Sequence, residues 1–200
     1  MIDLVKIQLE QSIATLQAVM GDPGIAVAVV HAAKLTANAM RDGHKLMVAG
    51  NGGSAADAQH LVAEFVSRLT VDRPAMRALA LTTDTSILTA ISNDYSYDNI
   101  FERQIEALGQ KGDIFLAIST SGNSINSLKA LKRCKQLGIT TVGYLGSGGG
   151  PMAPLCDVVV VVPSKITMNI QESHLALEHI FCMIVERFYF TEGFETDRRV

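Results

Sequence analysis

Apolar positions fall at helical spacing at the start of the chain and give way to short, nearly continuous apolar runs from Lys45 onward. From Asp3 to Met20 the residues Leu4, Ile7, Leu9, Ile13, Leu16, Val19 and Met20 follow a helical repeat, with Asp3 placed to cap the first turn. A second helix is predicted from Pro23, a favoured first-turn residue, to Met40, stopping before Asp42-Gly43. Its apolar surface is broader than a solvated helix needs, so part of it is expected to pack on another subunit.

Each later run ends in turn residues and leads into a helical pattern. Lys45–Ala49 meets Gly50-Asn51-Gly52-Gly53-Ser54 and a helix to Leu69. Ala78–Leu81 meets Thr82-Thr83-Asp84, with helical periodicity at Ile87 and again over Ile100–Leu108. Ile114–Ile118 meets Ser119-Thr120-Ser121-Gly122-Asn123-Ser124 and a helix to Leu137. Thr140–Leu145 meets Gly146-Ser147-Gly148-Gly149-Gly150, and the valines Val158–Val162 precede a helix over Ile170–Phe190. Strands of this kind, alternating with helices, are buried on both faces, which predicts an α/β fold with a doubly wound parallel sheet. Residues 1–200 read as a single domain, with residues 1–42 a helical pair on the sheet and on other subunits. The tail Thr191–Val200 reads as frayed or subunit-bound.

Composition narrows the function. The 200 residues are 48% hydrophobic and carry a formal net charge of −3. That leaves no basic field for a nucleic-acid backbone. No run reaches the ~18 apolar residues that span a bilayer, and Met1–Lys6 lacks a basic segment leading into an apolar block. Three dispersed cysteines, Cys134, Cys156 and Cys182, form neither a disulfide framework nor a CxxC motif, which suits a reduced, cytoplasmic setting. The 16 glycines cluster in loops rather than scattering.

Two of those loops suit a phosphate. In Ser119–Ser124 four hydroxyls surround one glycine where a helix begins. Helix N-terminal amides and the dipole's positive end hold an anion there without a counter-cation. Gly50-Asn51-Gly52-Gly53-Ser54-Ala55 matches the dinucleotide pattern GxGxxA, yet no acidic residue ends the second strand at the spacing a ribose needs. No GK[ST] occurs, which excludes a P-loop. What survives is close approach of a ligand to residues 51–53, with Asn51 able to read a hydroxyl. The third cluster, Gly146–Gly150, reads as a flexible connection.

Acid–base candidates lie on two helices. Gln59, His60 and Glu64 follow the first glycine loop, and His60 and Glu64, four residues apart, share a face. Such a pair can hold a metal or move protons. The last helix offers Gln171, Glu172, His174, Glu178 and His179, and spacing does not choose between the two histidines. His31 and His44 read as structural, and Asn93-Asp94 as a turn or part of a site.

Taken together, Gly50–His60, Arg73-Pro74, Asn93-Asp94, Ser119–Ser124 and Ile170–His174 resemble sugar-isomerase (SIS) domain proteins of the phosphoheptose isomerase type. The resemblance implies a flavodoxin-like sheet, a homotetramer with sites at subunit contacts, a phosphosugar substrate and no nucleotide cofactor. It implies conversion of sedoheptulose 7-phosphate to D-glycero-D-manno-heptose 7-phosphate, supplying lipopolysaccharide-core heptose. By position, Ser119, Thr120, Ser121 and Ser124 would hold the phosphate, and Asn51, Gly52, Gly53, Asn93 and Asp94 would line the sugar. Glu64 would be the base and His179 the partner acid or base. His60, Glu64, Gln171 and His179 would bind zinc, Glu64 and Gln171 also meeting substrate. The alternative is a non-catalytic SIS tetramer that binds the replication initiator or senses a phosphosugar.

Overall fold

The computed structural model describes residues 1–190; the tail expected to be frayed or subunit-bound lies outside them. Two helices, α1 (Ile2–Gly21) and α2 (Pro23–Arg41), precede an alternating series. That series is β1 (Leu46–Gly50), α3 (Gly53–Val66), β2 (Ala78–Ala80), α4 (Thr85–Asp94), α5 (Ile100–Leu108), β3 (Ile114–Ser119), α6 (Ile125–Leu137), β4 (Thr140–Leu145), β5 (Val158–Val161) and α7 (Thr167–Phe190). Short 3₁₀ turns occupy Tyr97–Asn99 and Gly150–Leu155.

The strands form one parallel sheet in the order β2-β1-β3-β4-β5. This is the flavodoxin-like order, with its reversal between β1 and β3. Successive strand residues feed opposite cores. Leu46, Val48, Ile114, Leu116, Val142 and Tyr144 pack under α2, α3 and α7. Met47, Ala49, Phe115 and Ala117 pack under α5 and α6. Helices therefore cover both faces, as the β-branched runs predict.

Several boundaries shift for local reasons. Asp3 does not cap α1: the helix starts at Ile2, and Asp3 sits in its first turn, where its charge complements the helix dipole. Asp22 instead caps α2, accepting from the Gly24 amide at 2.8 Å. Helix α3 stops at Val66, short of Leu69. His44 lies 3.8 Å from Asp113 and against Gly112, a structural place. His31 is exposed on α2, away from the candidate site residues of α3 and α7.

No single helix among the described residues is long and apolar enough to cross a membrane. The outer side of α1 stays bare, with Ile2 88%, Val5 62% and Met20 82% exposed.

Candidate active site

At the carboxyl edge of β1 the chain must turn sharply into α3. A Cβ on Gly50 would stand 2.5 Å from the Ser54 carbonyl oxygen, and Gly52 takes φ +57°, a left-handed conformation that glycine adopts freely. Between them Asn51 exchanges amide hydrogen bonds with Asn126, at 3.0 and 2.9 Å, and accepts from the Tyr97 hydroxyl at 2.8 Å. The first loop is thereby tied to α6 and to the turn after α4. One amide hydrogen of Asn51 keeps no partner among the described residues and remains free to read a hydroxyl.

Gly53 opens α3 directly against α7, for a Cβ there would lie 2.3 Å from Gln171 Nε2. One turn on, Asp57 Oδ1 accepts from that same nitrogen at 3.3 Å. Burial raises the Asp57 carboxyl above its ordinary range, opposed by the Gln171 hydrogen bond and the His60 charge. With its nitrogen engaged on Asp57, Gln171 keeps its oxygen as a donor of electron pairs. Gln59, from the opposite flank of α3, binds the Thr82 carbonyl at 3.3 Å and anchors the helix to the loop after β2.

His60 and Glu64 follow on the face of α3 turned toward α7. His60 Nε2 lies 3.5 Å from Glu64 Oε1 and 2.8 Å from His179 Nε2. The imidazoles meet edge to face, 83° apart. One ligand atom from each of His60, Glu64 and His179 falls within 4.8 Å of the others, a donor set of two nitrogens and a carboxylate that suits zinc. The His60 side chain remains 45% exposed while Glu64 is 17% exposed, so the cluster opens to solvent on the His60 side.

The structure separates the two histidines of α7. His174 is fully buried, its Nε2 3.1 Å from the Leu145 carbonyl, and burial lowers its pKa to about 4. It faces the sheet, whereas His179 faces α3. Glu178, next to His179, is also fully buried; burial first and the Asp57 charge second push its pKa up to about 8. It belongs to the layer beneath the site.

At the edge of β3, Ser119 Oγ lies 3.2 Å from Ser124 Oγ and accepts from the Gly122 amide at 3.1 Å. Ser124 stands at the N-cap of α6 yet makes no side-chain capping bond, so its hydroxyl turns into the loop. Ser121 accepts from the Asn123 amide at 3.2 Å. The result is a short, hydroxyl-lined cradle at a helix N-terminus.

Gly146–Gly150 is more than a connection. A Cβ on Gly122 would stand 2.1 Å from the Gly149 carbonyl oxygen, and the Met152 amide donates to the Gly122 carbonyl at 3.0 Å. The third glycine cluster thus backs the hydroxyl loop. Asn93 and Asp94 end α4, exposed, and bond to one another at 2.8 Å. They stand just before Tyr97, whose hydroxyl reaches Asn51.

Sequence reasoning missed Asp57, Tyr97 and Asn126. Asp57 and Glu64 lie seven residues apart, two helical turns, which was signal enough; the other two depend on how loops meet.

A family model described as the SIS domain matches residues 11–146. Among similar proteins, a phosphoheptose isomerase of Aneurinibacillus thermoaerophilus is 50% identical over 96% of this chain and 97% of its own length. A phosphoheptose isomerase 2 of Campylobacter jejuni is 50% identical over 95% of this chain and 94% of its own. The solved phosphoheptose isomerase of Neisseria gonorrhoeae superposes with a TM-score of 0.87 at 38% identity, covering 92% of this chain and 97% of that one.

Proposed function

Since the chain belongs to the SIS-domain family, among its phosphoheptose isomerases, we propose that it converts sedoheptulose 7-phosphate to D-glycero-D-manno-heptose 7-phosphate through an enediol. The observation that carries this is the convergence of Glu64, His60 and His179 between α3 and α7, in a chain that also builds a hydroxyl loop at the carboxyl end of β3.

Ser119, Thr120, Ser121 and Ser124, with the first amides of α6, hold the phosphate and so fix the distance from that anchor to C1 and C2. Asn51, Gly52, Gly53, Asn93 and Asp94 line the sugar hydroxyls. Glu64 removes a proton from C1, and the electron pair of that C–H bond forms the C1–C2 double bond while O2 gains a proton. O1 then gives up its proton, and Glu64 returns the carbon-bound proton to C2. His179 supplies and accepts the protons at the oxygens. No electrons leave the substrate, so no nucleotide cofactor is needed.

His60, Glu64, Gln171 and His179 are the residues that would hold zinc, which when bound would polarise the substrate carbonyl as a Lewis acid. A carboxylate has two oxygens, so Glu64 has one for the metal and one for the proton. The bare apolar side of α1 fits burial in a homotetramer, and the three free cysteines fit a cytoplasmic setting. A protein that only sensed a phosphosugar, or bound the replication initiator, would have no need of a carboxylate facing two imidazoles.

Purified protein incubated with sedoheptulose 7-phosphate yields the aldose. Glu64→Gln abolishes turnover and leaves the circular dichroism spectrum unchanged. An inactive wild type, with and without added zinc, would sink this function.

A further inference from the structure

Arg73 lies outside the candidate site, in the segment after α3, with its side chain 2% exposed. Every nitrogen of its guanidinium is used. Nη2 donates to the Glu64 carbonyl at 2.7 Å, and Nη1 to the Phe65, Ser67 and Pro74 carbonyls at 2.7, 3.3 and 3.1 Å. Nε and Nη2 both meet Glu186 Oε1 on α7, at 2.8 and 2.7 Å. One side chain therefore takes up the last carbonyls of α3, which a helix leaves without partners, and binds them to α7.

The same two helices carry the chemistry. Going along them together, Gly53 meets Gln171, His60 meets His179, Phe65 packs on Phe181 with ring centroids 5.9 Å apart, and Arg73 joins the end of α3 to Glu186. The helices run side by side in one direction, and the clasp closes the end opposite the glycine loop. The Glu64 carbonyl that it holds belongs to the residue whose carboxylate faces the imidazoles. A ligand set shared between two helices keeps its geometry only while their spacing holds, and misplacement of about 1 Å at reacting groups is costly.

We propose that Arg73 is a positioning residue, which with Glu186 sets the spacing of α3 and α7 and so the geometry of His60, Glu64 and His179 toward a metal ion and the substrate. This rests on the isomerase reading of the site, but its metal readout does not need turnover. Arginine suits the task because a planar fork spans several acceptors, whereas a lysine ammonium is a single point charge.

Two variants test it. Arg73→Lys still meets Glu186 with a charge but does not span the carbonyls of α3. Arg73→Met with Glu186→Leu removes both charges together, so that neither is left buried without its partner. Zinc affinity by chelator competition, melting temperature, and kcat and KM are measured on each. The expected result is zinc affinity and kcat lower by about 10-fold to 100-fold, the range for groups that orient metal ligands, with KM within about 3-fold of wild type because the phosphate loop is untouched. A variant with native melting temperature, native zinc affinity and native kcat overturns the proposal. So does a loss of kcat that only follows the fraction of unfolded protein, for Arg73 is then purely structural. Should wild type bind zinc but turn nothing over, the function falls while the zinc comparison still decides the clasp.

Discussion

His60 and His179 place their Nε2 atoms 2.8 Å apart across the gap between α3 and α7. A neutral imidazole has one N–H and one lone pair, so one of these nitrogens donates to the other. Metal ligation would need both lone pairs, and two nitrogens on a tetrahedral zinc stand roughly 3.3 Å apart. An ion held by both nitrogens would replace this hydrogen bond and part them by roughly half an ångström.

From this follows the first prediction. Zinc added to chelator-treated protein raises the melting temperature, and His60→Gln or His179→Gln lowers zinc affinity by about 100-fold or more, since ligand loss exceeds the 10-fold to 100-fold cost of losing an outer partner. Competition with a chromogenic chelator reads this directly. Unchanged affinity in both variants would remove the metal from this site.

The second concerns Gly122, held at φ +63° with its Cα facing the Gly149 carbonyl. Alanine there meets both an unfavourable backbone conformation and a backbone clash that a rigid neighbour does not relieve. Gly122→Ala displaces the hydroxyl loop, and loss of one hydrogen bond to a charged phosphate, worth about 1.5 kcal/mol or more, raises KM about 10-fold. Steady-state kinetics with zinc held constant measures it. A native KM would mean that the phosphate lies elsewhere.

A third prediction is pH-dependent. Burial lowers the His174 pKa from 6.5 to about 4, so across that window the unfolded chain binds a proton that the folded chain refuses. The stability it contributes is present above the unfolded value and lost as pH falls through the window, up to about 3 kcal/mol. Glu178 slopes the other way, since its folded pKa is raised to about 8. The difference between wild type and His174→Leu isolates the histidine: urea unfolding of chelated protein shows a flatter acid limb in the variant. Parallel profiles would count against the assignment.

The sheet was legible because burial on both faces leaves only apolar, β-branched residues in strands such as Ile114–Ser119 and Val158–Val161. The hydroxyl loop was legible because four hydroxyls beside one glycine exceed what a turn needs. His60 with Glu64 was readable as a pair, but the choice of His179 over His174 depends on which side of α7 meets the sheet. Packing puts His174 against the sheet, where it reaches the Leu145 carbonyl, and His179 against His60 of α3. The support given by Gly149 to Gly122, the link from Asn51 to Tyr97 and the reach of Arg73 to Glu186 all join residues far apart in the chain. No local period encodes them.

The missing side chain at Gly53 has a further meaning. In a dinucleotide-binding fold, glycines at this turn leave room for a pyrophosphate. Here the room above Gly53 is filled by the Gln171 amide from the chain's own last helix. The glycine serves an internal guest, so any side chain at 53 would be felt at the far end of the sequence, in the orientation of α7, before any ligand arrived. A motif shaped like a cofactor loop has become the socket that locks the final helix into the site.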